Sequence, residues 1–188
     1  PKAGERWLAY LTHFRLSEDI MNWSNANPEV KLDCFWDNPA RKETYHYSDS
    51  LTFHPIDAEN YLAKMTECAG LISTAGFESV AEAMYLGKPA MMVPVPNHIE
   101  QMINAFDGEM SGAGIGASSF DLSIFKNYLP SHVSVKDQYQ EWVSQSQRLM
   151  AGHLTDLIAQ PVYVANFREN QGTGLSGMLG RRRFRWSR

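Results

Sequence analysis

A short turn of small residues, Thr74-Ala75-Gly76-Phe77, separates an apolar run from an amphipathic segment. If the run is a strand and the segment a helix, the turn presents the free backbone N–H groups and the positive dipole end of that helix. Gly76 would let a ligand approach the backbone closely, and Thr74 adds a hydroxyl group. The turn therefore predicts an anion site, most naturally for a phosphate. The alternative is that Thr74 or Gly76 only caps the helix.

Two glutamates, Glu78 and Glu82, follow this turn at a spacing of four residues. Like charges at this spacing cost a helix about 0.2–0.5 kcal/mol. Glu78 would lie in the first turn, where the helix dipole favours a carboxylate, whereas Glu82 lies one turn deeper and gains less. A carboxylate at Glu82 would be useful if it accepted two hydrogen bonds, for example from the 2′ and 3′ hydroxyl groups of a ribose. The alternative is a solvated surface glutamate.

The next strand end carries two prolines, Pro94 and Pro96, and the helix after it begins with Glu100 and Gln101. The prolines stiffen a loop at the same edge of the predicted sheet. Glutamate and glutamine side chains in a first helical turn could hydrogen-bond the hydroxyl groups of a sugar. Asn104 shares a helix face with Gln101 because the two are three residues apart.

The elements that must position these residues alternate along the chain. Short apolar runs predict strands at residues 8–11, 31–36, 51–53, 70–73, 90–93 and 114–118. Periodic apolar residues predict helices at residues 18–24, 58–67, 77–86, 98–110 and 136–153, and residues 40–50 read as a loop. Strands that alternate with helices predict an α/β, Rossmann-like, three-layer domain with a parallel sheet of about six strands and helices on both faces.

Two of the predicted helices carry clear apolar patterns. In the helix at 77–86, the buried stripe is predicted to consist of Phe77, Val80, Ala81 and Met84. In the helix at 98–110, apolar residues recur at the i, i+3, i+4 and i+7 positions, namely Ile99, Met102, Ile103 and Phe106. Both helices follow strand ends, so both would direct their first turns at the same edge of the sheet.

Composition and charge limit the classes of function. The net charge is −4, and without the five arginines of residues 181–188 the remaining 180 residues carry 12 basic and 21 acidic side chains. An acidic body of this kind is a poor general binder of nucleic acid. The longest apolar run is far short of the roughly 20 residues that a membrane-spanning helix needs. Cys34 and Cys68 are far apart and are expected to be free thiols in a cytoplasmic protein.

Several catalytic patterns are missing from the sequence. There is no Asp-x-Asp motif, which argues against a metal-clamped diphosphate, and the histidines and cysteines have no zinc-site spacing. No P-loop or serine nucleophile elbow occurs, since the Gly87-Lys88 pair precedes a proline and lacks the upstream glycine. The sequence therefore predicts neither a metal nor another cofactor.

The stretch AGFESVAEAMYLGKPAMMVPVP, followed by EQMINA, resembles the C-terminal, donor-binding domain of GT-B glycosyltransferases. The likeness is greatest to the family of the bacterial lipid II N-acetylglucosaminyl transferase and to related bacterial glycosyltransferases. Its sharp part covers residues 70–106, about a fifth of the chain. The ordered series of Gly, Glu, Gly-x-Pro, Pro and Gln-x-x-Asn-Ala is specific for the superfamily but not for donor or acceptor.

The resemblance implies a role for each matching residue. The diphosphate would lie against Thr74, Ala75, Gly76 and Phe77, the ribose on Glu82, the base against His54, Pro55 and Ile56, and the donor sugar near Pro96, Glu100, Gln101 and Asn104. Glu100 departs from the family's two-glutamine form, which leaves the identity of the sugar open. The turn Thr12-His13-Phe14 lacks the family's glycine-rich phosphate loop. His13 is a candidate diphosphate contact in its place, the alternative being a structural histidine.

The resemblance also implies a function and a domain organisation. Residues 1–168 would be the donor-binding half of a metal-independent glycosyltransferase that uses a nucleotide-diphosphate sugar, with UDP favoured. The acceptor site and the general base would come from an N-terminal domain absent from this chain, so the fragment alone is expected to turn over little. The alternatives are a non-catalytic donor-binding subunit that needs a partner, half of a nucleotide-sugar 2-epimerase, or a Rossmann-like domain without this ligand.

The C-terminal residues are predicted to form a segment separate from the domain. Residues 169–188 are expected to be a flexible basic tail. Its arginines are interleaved with Phe184 and Trp186. Such a segment could contact anionic lipid, which would make a cytoplasmic protein membrane-associated. The alternative is a solvated terminus with no partner.

Overall fold

The computed structural model describes residues 4–159. Its strands are β1 (Arg6–Leu11), β2 (Lys31–Trp36), β3 (Tyr45–His46), β4 (Leu51–Pro55), β5 (Gly70–Ser73), β6 (Ala90–Met92) and β7 (Gly114–Gly116). They form one sheet in the order β3-β4-β2-β1-β5-β6-β7. Every neighbouring pair is parallel except β3 with β4, which is antiparallel. Short apolar strands suit such a sheet because both of its faces are covered.

The helices are α1 (Ser17–Ala26), α2 (Ala58–Glu67), α3 (Phe77–Leu86), α4 (Ile99–Met110), α5 (Leu122–Tyr128) and α6 (Lys136–Ala159). Single turns of 3₁₀ helix occupy Phe14–Leu16 and Leu129–Ser131. The predicted α/β, Rossmann-like class is confirmed. The sheet has one strand more than the six or so expected, because β3 lies within the segment predicted as a loop. Tyr45 pairs there with Phe53, and the two rings stack.

Two apolar cores lie on the two faces of the sheet. Alternate residues of β1 belong to different cores, with Trp7 in one and Leu8 in the other. Trp23 of α1 and Phe125 of α5 both contact the ring of Trp7 on the first face. The second face is covered by residues of α2, α3 and α4. The buried members there include Tyr61, Met65, Val80, Ala83, Met84 and Ala105.

The apolar pattern of α3 was only partly predictive of burial. Val80 and Met84 are buried as expected, but Phe77 is 62% exposed. Phe77 is the first residue of α3 and is not among the residues of the second core. Gly87 ends the helix in the left-handed region, with φ of 73°, as a terminating glycine commonly does.

In α4 the apolar stripe faces outward. The predicted helix is confirmed, but its periodic apolar residues are exposed, as is Met110 at the end of the same stripe; the predicted positions are Ile99, Met102, Ile103 and Phe106. The face turned to the core instead carries Gln101, Ala105 and Gly108. At Gly108 a Cβ atom would lie 2.5 Å from the Met92 sulfur, so a glycine there lets α4 lie close to β6.

The chain divides into two compact units, Pro1–Gln147 and Arg148–Arg188. The first contains the whole sheet. Of the second, the structure describes residues 148–159, the last turns of α6. The predicted tail, residues 169–188, lies outside the described residues, and the predicted boundary after residue 168 stays a prediction. Among the described helices, none combines the length and the apolar character needed to cross a membrane.

Candidate functional site

A reversal in strand order places the candidate site above β1 and β5. The chain runs outward from β1 through β2 to β4 and then lays β5 on the other side of β1. In open parallel sheets, ligands bind outside the carboxyl ends of the strands at such a switch point. Tyr10 pairs with Ser73 in the β1–β5 register, so the two strands end at the same level. The turns that follow these two strands are therefore neighbours at one edge of the sheet.

The first residues of the turn after β5 are buried, and side chains of the protein hydrogen-bond its backbone. Thr74 is 1% exposed and Ala75 is fully buried, whereas Gly76 and Phe77 are exposed. Ala75 has a φ of 60°, a left-handed conformation that is uncommon for a residue other than glycine. Its N–H donates to Ser73 Oγ at 3.2 Å, and its carbonyl accepts from Asn104 Nδ2 at 3.1 Å. An anion could therefore meet Gly76 and Phe77 but not the buried side chain of Thr74.

The start of α3 has no side-chain cap. Gly76 is the N-cap residue, and no side chain accepts a hydrogen bond from the first turn of this helix. In contrast, Asp57, His98 and Asp121 cap α2, α4 and α5. The first N–H groups of a helix have no intrahelical partner, so an uncapped start at a switch point leaves donors for a ligand. The arrangement can bind an anion at this edge of the sheet.

Glu82 lies one turn further along α3 and is partly buried. The pKa of its carboxyl group is raised, chiefly by burial and then by the negative charge of Glu78. Both causes oppose ionisation, so neither burial nor the neighbouring charge gives this carboxylate a stabilising role within the protein. Glu78 itself is exposed on the first turn. The predicted pair of like charges is thus present, with Glu82 in the less solvated position.

Tyr10 is a candidate that the sequence patterns missed. It lies near the end of β1 with its ring edge against Tyr61, at 5.2 Å between centroids. The pKa of the Tyr10 hydroxyl is raised by burial and then by the charges of Asp37 and Glu78. The available signal was a polar-tipped aromatic residue within an otherwise apolar strand.

The loop between β6 and α4 is fixed by Gln101. Its side chain is 8% exposed, and its Oε1 atom accepts from the Val95 N–H at 2.8 Å. His98 Nδ1 accepts from the Gln101 N–H and so caps α4. Pro96 and Glu100 are exposed. Of the two residues predicted to meet a sugar in the first turn of α4, Glu100 is therefore free to do so, and Gln101 has its oxygen committed to the loop.

The side chain of His54, at the end of β4, belongs to a buried ionic cluster. His54 Nε2 lies 2.7 Å from Asp33 Oδ1, and Asp33 also pairs with Arg6 at 2.7 Å and Lys64 at 3.2 Å. Burial opposes the ionisation of Asp33, but hydrogen bonds from His54 and Arg6 and the charges of Arg6 and Lys64 outweigh it and hold its pKa well below the usual range. The His54 ring thus has a structural partner. Among the predicted base contacts, Ile56 is 49% exposed.

His13, after β1, caps its own 3₁₀ turn. Its Nδ1 atom accepts from the Arg15 N–H at 3.1 Å, and its ring stacks on Phe14. One ring nitrogen is thereby used locally, which is the structural role that the sequence left open. The side chain is exposed. A diphosphate contact by the other ring nitrogen stays a prediction.

Comparison with known proteins assigns this chain to a family. A match to the family described as Glycosyl transferase family 1 covers residues 1–131. The chain belongs to that family. The predicted resemblance to GT-B glycosyltransferases is therefore confirmed at the level of the family and of the fold, and the seven-stranded sheet is that of a GT-B glycosyltransferase domain.

Curated relatives of this chain are also named as glycosyltransferases. The chain is 29% identical over 121 residues to the UDP-N-acetylglucosamine–N-acetylmuramyl-(pentapeptide) pyrophosphoryl-undecaprenol N-acetylglucosamine transferase of Lactobacillus acidophilus, a match that covers 62% of this chain and 32% of that protein. For the same-named protein of Lactobacillus helveticus, the identity is 31% over 96 residues, covering 49% and 26%. The chain thus spans a third or less of the length of these glycosyltransferases.

Solved glycosyltransferase structures share the fold. The glycosyltransferase SnogD from Streptomyces nogalater matches with a TM-score of 0.56 and 15% identity, over 84% of this chain and 44% of that chain. MurG of Acinetobacter baumannii matches with a TM-score of 0.50 and 17% identity, over 79% and 51%. The family assignment thus agrees with the observed architecture.

The structure brings the predicted diphosphate turn, Asn104 and the β6–α4 loop to one edge of the sheet, and Glu82 lies in the second turn of α3. A cavity of about 430 Å³ lies beside this edge, between α3, α4 and the first turns of α6. Of the predicted ligand contacts, only Phe77 and Asn104 line it, so the cavity is not the predicted site itself. Within residues 4–159, no group of three or more His, Cys, Asp or Glu residues could hold a metal ion.

Proposed function

We propose that this chain is the donor-binding part of a glycosyltransferase that moves a sugar from a nucleotide-diphosphate sugar, with UDP favoured, to a hydroxyl group of an acceptor. The observation that carries the proposal is the uncapped start of α3 at the sheet's switch point, with Glu82 in the second turn of that helix. An anion and a ribose are the two groups that such a pair of features suits, and a nucleoside diphosphate contains both.

The chemistry of this transfer requires stabilisation of the leaving diphosphate. Negative charge grows on its bridging oxygen as the bond to the sugar breaks, and the N–H groups of Gly76 and Phe77 would meet it together with the dipole of α3. Such donors can act without a metal. Glu82 would accept hydrogen bonds from the ribose hydroxyl groups. Glu100, and the amide nitrogen of Gln101, would contact the sugar.

The acceptor site and the general base belong, in this proposal, to a further domain of the whole protein. No residue of the described site stands out as a base for an acceptor hydroxyl, which the transfer needs. We therefore expect the chain alone to bind UDP or a UDP-sugar weakly and to transfer or hydrolyse little sugar. Robust turnover by the chain alone, measured as UDP release, would contradict this division of labour.

The ribose assignment is tested by a matched pair of variants, Glu82→Gln and Glu78→Gln. Each removes one carboxylate from α3 at positions a turn apart. If Glu82 holds the ribose, its variant should weaken UDP binding by about 10-fold or more, since a hydrogen bond to a charged group contributes about 1.5–3 kcal/mol. The Glu78 variant should not weaken it. Titration calorimetry with UDP, GDP and dTDP would measure both effects, and equal losses in the two variants would refute the assignment.

Metal independence is tested with the same titration. If the N–H groups of α3 bind the diphosphate unaided, the affinity for UDP should be the same within about twofold in EDTA and in millimolar Mg²⁺. Loss of binding in EDTA would show instead that a metal ion bridges the protein and the diphosphate.

A second candidate function is a donor-binding subunit that is active only with a separate partner protein. The outward apolar stripe of α4 favours a surface that another domain or protein covers. Expression of the complete natural polypeptide would separate the two cases. Transfer by that single polypeptide supports half of a two-domain enzyme, whereas transfer only on addition of a second protein supports the subunit.

The location proposed for the protein is the cytoplasm, with peripheral contact to anionic membrane. The names of the curated relatives specify an undecaprenol-linked acceptor, and a lipid-linked acceptor would suit a basic segment at 181–188. Co-flotation with vesicles that contain phosphatidylglycerol, compared between the full chain and a chain ending at residue 180, tests this. Equal flotation would remove the segment from the proposal.

A further inference from the structure

Asn104 connects α4 to the turn at which the diphosphate is proposed to bind. Its Nδ2 atom donates to the Ala75 carbonyl oxygen at 3.1 Å, across 29 residues of sequence. The side chain is half-buried on the face of α4 that lies toward α3. The residue that it holds, Ala75, is fully buried and has the left-handed φ of 60°.

The backbone N–H and carbonyl groups of Ala75 are thus both hydrogen-bonded to side chains. Ser73 Oγ accepts from the N–H of Ala75, and Asn104 donates to its carbonyl group. Left-handed backbone conformations place the Cβ atom of an alanine close to the following carbonyl group, which makes them unfavourable outside glycine. Such a conformation persists when the surroundings over-determine it. These two side chains supply that constraint.

The direction of one carbonyl group fixes the direction of a ligand donor. The Ala75 carbonyl and the Gly76 N–H belong to the same peptide unit, which is planar and trans. Their two bonds therefore point in opposite directions. Because the carbonyl points to Asn104, the Gly76 N–H points away from α4, and Gly76 is the exposed N-cap residue of α3.

We propose that Asn104 is a positioning residue that aims the Gly76 N–H at the diphosphate, rather than a contact of the donor sugar. This inference rests on the proposed function and changes the role that the family resemblance implies for Asn104. It predicts that loss of the Asn104 side chain weakens the binding of UDP as much as the binding of the whole UDP-sugar.

The first test compares two ligands on one variant. Asn104→Ala should weaken the binding of UDP and of UDP-N-acetylglucosamine by the same factor, about five- to tenfold, because both ligands share the diphosphate. A sugar contact would give a different result, a loss for the UDP-sugar with the affinity for UDP retained. That outcome in calorimetric titrations would overturn the proposal.

The second test uses a compensating change at residue 75. Glycine adopts the left-handed region readily, so Ala75→Gly reduces the need for a side chain that enforces it. Asn104→Ala lowers the affinity for UDP by some factor in each background. We expect the logarithm of that factor in the Ala75→Gly background to be at most about half of its value in the wild-type background. An equal cost in both backgrounds would show that Asn104 does not act through the conformation of Ala75.

A measurement without ligand separates this inference from the proposed function. In the free protein, the Cα chemical shift and the HN–Hα coupling of Ala75 report its φ, and we expect both to move toward extended values in Asn104→Ala. If the wild-type chain bound no UDP but Ala75 still moved, the proposed function would fail, whereas the role of Asn104 in holding Ala75 in its left-handed conformation would stand. If Ala75 kept its left-handed φ in a folded variant, the positioning role would fail whatever the chain binds.

Discussion

The turns after β1 and β5 are neighbours at the same edge of the sheet, yet a side chain caps the 3₁₀ turn that follows β1 and none caps α3, which follows β5. After β1, His13 accepts a hydrogen bond from the Arg15 N–H and closes the turn with its own side chain. After β5, Gly76 has no side chain to offer, and the start of α3 stays uncapped. After β1, the Arg15 and Leu16 N–H groups are hydrogen-bonded within the protein. The N–H groups at the start of α3 remain available to a ligand.

The difference also shows where each turn gets its shape. The β1 turn is stabilised by contacts within three residues, the His13 cap and the stacking of His13 on Phe14. The β5 turn is hydrogen-bonded both to Ser73, at the end of β5, and to Asn104, which lies on another helix. A turn that is shaped from a distance can leave its own polar groups free, and this is what a binding turn needs.

The largest effect is expected from proline at the first position of α3. Phe77→Pro removes one N–H donor, yet proline is well tolerated at this position of a helix. Gly76 already has the extended conformation that a residue before proline prefers, with φ of −66° and ψ of 130°. We expect UDP binding to fall by about tenfold or more while the thermal unfolding temperature stays close to that of the wild type.

The matched control for this change is Phe77→Ala, which removes the same exposed side chain and keeps the N–H group. It should bind UDP as the wild type does. Equal losses of affinity in the proline and alanine variants would mean that the Phe77 ring, and not the backbone donor, contacts the ligand. Unchanged binding in both variants would remove this N–H group from the proposed diphosphate site.

The contrast between the turns could be predicted from the sequence only in part. Alternating apolar runs identified six of the seven strands and five of the six helices, because short strands and amphipathic helices leave a local pattern. The strand β3 was missed, since two residues in a polar segment carry no periodicity. The helix α5 was missed because its seven residues span only two turns.

The site depends more on contacts that are distant in sequence. The motif pointed to Gln101 and Asn104, but not to their partners, Val95 and Ala75, because no local pattern specifies which loop an amide side chain will reach. Likewise, the period of Ile99 and Phe106 correctly predicted a helix but not its orientation. The opposite face of α4 packs on the core because Ala105 and Gly108 are small enough to allow a close approach.

A smaller effect is expected at the β1 turn, where His13→Ala removes the cap. Loss of a side-chain cap typically costs about 1 kcal/mol of stability, and an exposed 3₁₀ turn belongs at the lower end of that range. We expect a small fall in the free energy of unfolding, measured with urea, and no change in UDP affinity. A fall in affinity beyond about threefold, with stability unchanged, would restore His13 as a diphosphate contact and make the two turns alike.

The smallest effect concerns the stability of α3 and its dependence on pH. Burial and the charge of Glu78 raise the pKa of Glu82 above its usual value of 4.5, so ionised Glu82 destabilises the folded state. Glu82→Gln should therefore stabilise the protein slightly at pH 7, by about 0.2–0.5 kcal/mol for the like-charge pair. This gain should disappear as the pH falls below 4.5, where Glu82 is protonated in both the folded and the unfolded chain. Urea unfolding at pH 7 and pH 4 measures the difference.

A Glu82→Gln variant that is more stable but binds UDP less well would identify Glu82 as a carboxylate whose role is to bind the ligand, as the uncapped turn beside it suggests. A less stable variant would instead give Glu82 a structural role like that of His13.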